Sequence, residues 1–172
     1  MNDSTELTSL LLAKVEQQVE LALRLTALVP CDRLEWQPAA NVFRLGQLLG
    51  HLLEAAAGFC AALYRLKPRE LAHFERLRGL PVNHDCDAAE AAGRLRDYLG
   101  HVREGFALLN DADLARRLPT VFAPSGEAAL TILLANLEHF INHKHQLFFY
   151  LKLLGVEVGT AELYEIKTPP TA

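Results

Sequence analysis

Apolar side chains at Leu7, Leu11, Val15, Val19, Ala22, Leu25 and Val29 recur every three or four residues, the spacing of one face of an amphipathic helix. The pattern predicts a first helix over residues 4–29, with Ser4 as N-cap and Pro30 as its stop, because proline disfavours helical geometry at the residue before it. After the loop CDRLEWQPAANV, with Asn41 as a possible cap, a second helix is expected over residues 44–66, ending before Pro68. Residues 67–87 are charged, with Gly, Pro and Asn toward their end, and read as a long crossover with a short helical piece over residues 70–77. Asp87 followed by Glu90 is an acidic variant of the capping box and opens a third helix to Leu109, with Ala91, Leu95, Leu99, Val102 and Phe106 inward. Beyond the loop LPTVFAPSG, Ser125 is the natural N-cap of a fourth helix, and Gly155 is placed as the left-handed residue that ends it. The remainder, VEVGTAELYEIKTPPTA, reads as an irregular surface tail from about residue 156. Four long helices imply an all-α fold, in one domain spanning residues 1–172.

The helical pitch also sorts the polar positions. At about 100° per residue, Arg44, Gln47, His51, Ala55, Gly58 and Ala62 share a narrow stripe of the second helix. Small residues below His51 let another helix approach, while Arg44 and Gln47 stand above it as pocket-lining candidates. On the fourth helix, Ile132, Ala135, His139, His143, Gln146 and Tyr150 share one face, so two histidines lie one turn apart among Leu, Ile and Phe. Imidazoles at i, i+4 can supply two ligands to a divalent metal such as zinc or nickel without bending the backbone, and His51 is the natural third. The alternative is ordinary helix histidines on a mixed face, and His51 at matching depth tips the balance toward a metal. Gln146 and Tyr150 either line a polar pocket above it or are bundle residues with satisfied hydrogen bonds; Arg44 reads equally as a helix-end charge in water. His145 points away from His143, and His73, His84 and His101 read as solvated. The string NHDCD at residues 83–87 has the residue types of a ligand cluster, but capping accounts for its acids. Glu54 and Glu138 adjoin the histidines in sequence but are displaced around their helices, which places them poorly as general bases.

Composition narrows the partners. With 17 Lys and Arg against 21 Asp and Glu, there is no basic field to hold a phosphate backbone, and nucleic acid is not expected. MNDSTELTSL has no positive region leading an apolar core, and no apolar run approaches the roughly 18 to 20 residues of a membrane span, so a cytoplasmic protein without a membrane partner is expected. Cys31, Cys60 and Cys86 are scattered, with no CxxC pair, and read as reduced thiols. Nucleophile-elbow, Walker A, dinucleotide-binding and HExxH motifs are absent.

Two segments resemble a known family. LVPCDRLEWQPAANVFRLGQLLGHLLEA combines a proline loop, a Trp-x-Pro step and a helix with one histidine, His51; HFINHKHQLFFYLKLLG combines His-x3-His, a basic residue, Gln and a Tyr-Leu run ending in Gly. Together they resemble the DinB-like, or YfiT-like, metal-binding four-helix bundles of bacteria, with Lys144, Gln146, Tyr150, Leu151 and Gly155 in register. Two positions depart: Arg44 stands where the family has a Ser or Thr cap, which sets a cation near the pocket mouth, and His145 replaces a Gly. The resemblance implies a four-helix bundle, up-down-down-up, with a long crossover between helices two and three, assembled as a homodimer. It implies one divalent metal on His51, His139 and His143, with water in the remaining positions. Members with an assigned activity resemble enzymes that use low-molecular-weight thiols. The implied function is therefore a metal-dependent enzyme that activates a thiol or water against a small-molecule substrate, as a thiol S-transferase or a hydrolase. The alternative is a non-catalytic metal-binding or small-ligand module in which the metal is structural.

Overall fold

The computed structural model of the chain describes residues 4–121 and 123–164. Its long helices are α1 (Glu6–Thr26), α2 (Leu45–Leu66), α3 (Ala88–Phe106) and α5 (Ala129–Leu153). Between and after them lie two one-turn helices, α4 (Asp111–Leu114) and α6 (Thr160–Leu163), and a two-residue antiparallel ladder of β1 (Arg117–Leu118) and β2 (Glu127–Ala128). The fold is all-α apart from that ladder.

The apolar stripes meet in one cluster. Val15, Val19 and Ala22 of α1, Leu49, Leu52 and Phe59 of α2, Leu95 and Leu99 of α3, and Leu133, Phe140 and Leu147 of α5 are all buried in it. α2 packs against α3 on one side and α5 on the other, and α1 also touches both. Glycines set the closest approaches: a Cβ on Gly105 of α3 would lie 2.8 Å from the Leu63 side chain of α2, and one on Gly58 of α2 would lie 2.2 Å from Asn136 of α5. Asn136 uses that proximity to donate to the Ala55 carbonyl at 2.8 Å. The expectation that no apolar run nears membrane-span length is corrected by α2, which is long and apolar enough by length and composition. Two thirds of its most apolar window (67%) is buried inside the protein, the mark of a core helix.

Local caps behave as expected, and long-range ones do not. Asp87 accepts from the Glu90 N–H at 2.8 Å and starts α3. Gly155, at φ +79°, ends α5 in a Schellman arrangement, with the Val156 N–H on the Leu151 carbonyl and the Gly155 N–H on Lys152. Ser4, by contrast, does not cap α1; Thr5 holds that position, and Asp111 from beyond α3 accepts from the Thr8 N–H at 2.9 Å and the Leu7 N–H at 3.3 Å. Ser125 does not cap the fourth long helix either, because the chain first turns through Gly126 and pairs with β1, so α5 begins only at Ala129. The segment expected as an irregular surface tail contains α6, whose Leu163 is buried. The Leu163 carbonyl and Gln18 Oε1 both accept from Lys144 Nζ, an amine only 1% exposed, whose pKa burial pushes down to about 8.

The crossover carries a 3₁₀ stretch, Ala72–Gly79, that seats Phe74 in the core, then returns along the start of α2. There the Asn83 N–H meets the Gly50 carbonyl and the Cys86 N–H meets the Gly46 carbonyl, so two glycines one turn apart form the groove in which residues 83–87 lie.

Candidate metal centre

The site stands where the upper part of α2 faces the middle of α5. Helical pitch puts His139 and His143 on one side of α5, and the small residues of α2 bring His51 up to them. One nitrogen from each imidazole lies within 4.8 Å of the other two, and ring centroids are 5.1 Å (His51 to His139), 4.2 Å (His51 to His143) and 4.7 Å (His139 to His143) apart. All three side chains are partly buried.

Hydrogen bonds decide which nitrogen faces the centre. His51 Nδ1 is met by Asn83 Oδ1 and, at 3.0 Å, by Glu54 Oε2. A carboxylate only accepts, so Nδ1 carries the proton and Nε2 keeps its lone pair. For His143 the logic runs through a chain. The Phe43 carbonyl accepts from the Tyr150 hydroxyl at 2.9 Å, the Tyr150 oxygen accepts from Gln146 Nε2 at 3.1 Å, and Gln146 Oε1 is thereby turned to His143 Nδ1 at 3.0 Å. His143 Nδ1 must donate there, and its Nε2 is also left bare. His139 Nε2 stands 3.1 Å from His51 Nε2. Two lone pairs at that distance repel unless a proton or a cation lies between them, and ligands at the usual zinc distance sit about 3.3 Å apart along a tetrahedral edge. The donor set fits a divalent transition metal.

Electrostatics favour the unprotonated form of His139 and His143. Burial first, and then the adjacent His51, lowers the His139 pKa below its ordinary 6.5. Burial also lowers that of His143, against a smaller opposing effect of the Gln146 hydrogen bond. Neutral imidazoles are the form that binds metal.

The pocket candidates divide. Gln146 and Tyr150 form the chain that orients His143, with Trp36 packed edge-on to Tyr150 at 5.4 Å. Gln47 accepts from the Arg44 backbone N–H at 3.1 Å at the start of α2, and the Arg44 guanidinium bridges Glu35 and Asp85, tying the first loop to the crossover. His145 bonds the Ile141 carbonyl of its own helix at 3.2 Å, outside the cluster. The sequence pattern set Glu54 aside, offered Asn83 only as part of the NHDCD string whose acids capping accounts for, and gave Phe43 no role at the site. Asn83 sits at φ +56°, a left-handed conformation that Asn tolerates, and Phe43 covers His51 at 4.9 Å between centroids. The signal for Asn83 was its place in a Gly, Pro and Asn cluster. Burial pushes the thiols of Cys60 and Cys86 up to about 12, so both stay protonated. A cavity of about 620 Å³ opens beside the site, running from Glu54 along Ala57 and Ala61 of α2 under Phe74, Leu77 and Val82 of the crossover.

No family model matches the chain, and no curated protein matches it either. Among solved structures it is similar to a DinB-like protein, YjoA, from Bacillus subtilis, with a TM-score of 0.66 and 16% sequence identity over 86% of this chain and 94% of that one. At that identity the likeness concerns the fold alone.

Proposed function

We propose that this chain, which has the DinB-like fold, is a metal-dependent enzyme in which His51, His139 and His143 hold one divalent transition metal, zinc or nickel, with coordination positions left open. The observation that carries the reading is the pair of bare Nε2 atoms on His51 and His143, each fixed by an acceptor at Nδ1 and converging with His139. When bound, such a metal acidifies a coordinated thiol or water and favours thiolate or hydroxide near neutral pH. The residues of the chain do the rest. Asn83 and Glu54 keep the His51 proton on Nδ1, and Gln146 does the same for His143. The ring of Phe43 shields two of the imidazoles from water. The cavity that starts at Glu54 has a largely apolar wall and room for a small molecule. Burial keeps Cys60 and Cys86 protonated, and the reading takes the thiol of a thiol transfer to be a low-molecular-weight one from solution; hydrolysis uses water instead.

The reading includes the up-down-down-up bundle. Its support is that Cys60 and Leu63 of α2 meet Tyr98 and Gly105 of α3 in the same chain order, whereas α2 and α5 meet in reverse order, Ala55 on Asn136 and His51 on His139 and His143. It also includes a cytoplasmic setting, with which three unpaired thiols agree, and a homodimer, for which Phe149 and Leu153, exposed one turn apart on α5, offer an apolar contact. Light scattering should give twice the chain mass; a monomer at micromolar concentration removes the dimer.

The decisive experiment is elemental analysis of protein purified without an affinity tag. His143→Ala should lose stoichiometric metal, and full retention sinks the assignment. Chelation of the wild type should lower the melting temperature modestly and abolish turnover in a panel of electrophiles. A large fall in melting temperature instead marks a structural metal in a non-catalytic module. Comparing that panel with and without low-molecular-weight thiols separates transfer from hydrolysis.

A further inference from the structure

Away from the three-histidine centre, the crossover and α3 bring His73, His101 and Glu104 together, with one ligand atom of each within 4.8 Å of the others. We infer that these residues form a second divalent-metal site, of zinc-like preference, that clips the crossover to α3. His101 and Glu104 lie at i, i+3 on one face of α3, and His73 arrives from the 3₁₀ stretch, 31 residues from Glu104 in sequence. Glu104 is the hub: its carboxylate is 2.9 Å from His73 Nε2 and 3.5 Å from His101 Nδ1. Those separations bracket the edge of about 3.3 Å between ligands of a tetrahedral zinc, and two imidazoles with one carboxylate are a donor set that zinc uses with water in the fourth position.

The rings are set by packing as well as by the carboxylate. Phe74, 2% exposed, presses edge-on against both imidazoles, at 4.9 Å from His73 and 5.0 Å from His101. A buried aromatic that fixes two ligand rings is the kind of preorganisation a metal site needs. The side chains of His73 and Glu104 are 39% and 45% exposed, so an ion has a path from solvent and room for a water ligand. The site shares no residue with the first. The competing account is a hydrogen-bonded His-Glu-His triad with protons where the ion would be, and metal uptake separates the two.

The test uses the intact chain without a tag, stripped of metal and titrated with zinc chloride, comparing wild type, Glu104→Gln and His73→Ala. Both substitutions are at partly exposed side chains, and circular dichroism with a thermal melt checks that each variant folds. Either variant should lose one zinc equivalent per chain relative to the wild type, or hold it more than about tenfold more weakly in competition with a chromophoric chelator, since even outer-shell partners cost that much. Variants that match the wild type in stoichiometry and affinity overturn the site, as does graded uptake without a saturating step. His143→Ala in parallel keeps the two readings apart: uptake lost there but intact in Glu104→Gln leaves the first centre standing and removes this one.

Discussion

At the scale of the residue, the candidate site turns on where two protons sit. His143 holds its proton on Nδ1 because a carbonyl, that of Phe43, fixes the direction of every hydrogen bond in the chain through Tyr150 and Gln146. Gln146→Ala should therefore cost about 10- to 100-fold in metal affinity, as outer-shell partners of ligating histidines do, with little change in fold. Chelator competition measures it, and unchanged affinity refutes the orienting role. The i, i+4 pair itself was legible in the sequence, because helical pitch alone puts both imidazoles on one face. Glu54 was not. Its angular position around α2 argued against it, yet a long side chain at i+3 reaches back one turn to His51 Nδ1.

Among elements, the decisive one is the return of the crossover, residues 83–87, lying in the groove made by Gly46 and Gly50. A Cβ on Gly50 would be 1.9 Å from the His84 carbonyl oxygen, and backbone lies on both sides of that contact. Gly50→Ala must push the segment away, destabilising the protein by about 1–3 kcal/mol through overpacking and drawing Asn83 off His51. Gly93→Ala, where nothing lies within 4 Å, is the control, expected to stabilise α3 by about 0.5–1 kcal/mol. Thermal melts of the two variants should move in opposite directions. Caps formed within a few residues, at Asp87 and Gly155, could be read from the sequence; the cap of α1 could not, since it is Asp111, from the far side of α3.

For the whole molecule, acid should act in two windows. The Asp111 pKa is lowered from 3.8 to about 2, chiefly by the Thr8 N–H. Its contribution is complete above 3.8 and is lost as pH falls toward 2, so melting temperature should drop there in the wild type and less in Asp111→Asn. His139 and His143 have depressed values, so below 6.5 the unfolded chain binds their protons more readily, and the metal-free protein loses stability from that point downward. A flat profile between pH 7 and 4 contradicts neutral rings at His139 and His143. The amino-acid sequence by itself determined the four helical periods, the shared face of His139 and His143 and the local stops, because these follow from spacing along a helix of known pitch. Tertiary structure alone decided that Asn83 and Glu54 hold the His51 proton, that Asp111 caps α1, that Ser125 gives way to the β1–β2 ladder and that Lys144 is buried beneath α6. Most of those contacts join residues far apart in the chain, and which of them meet depends on how closely the helices and loops pack.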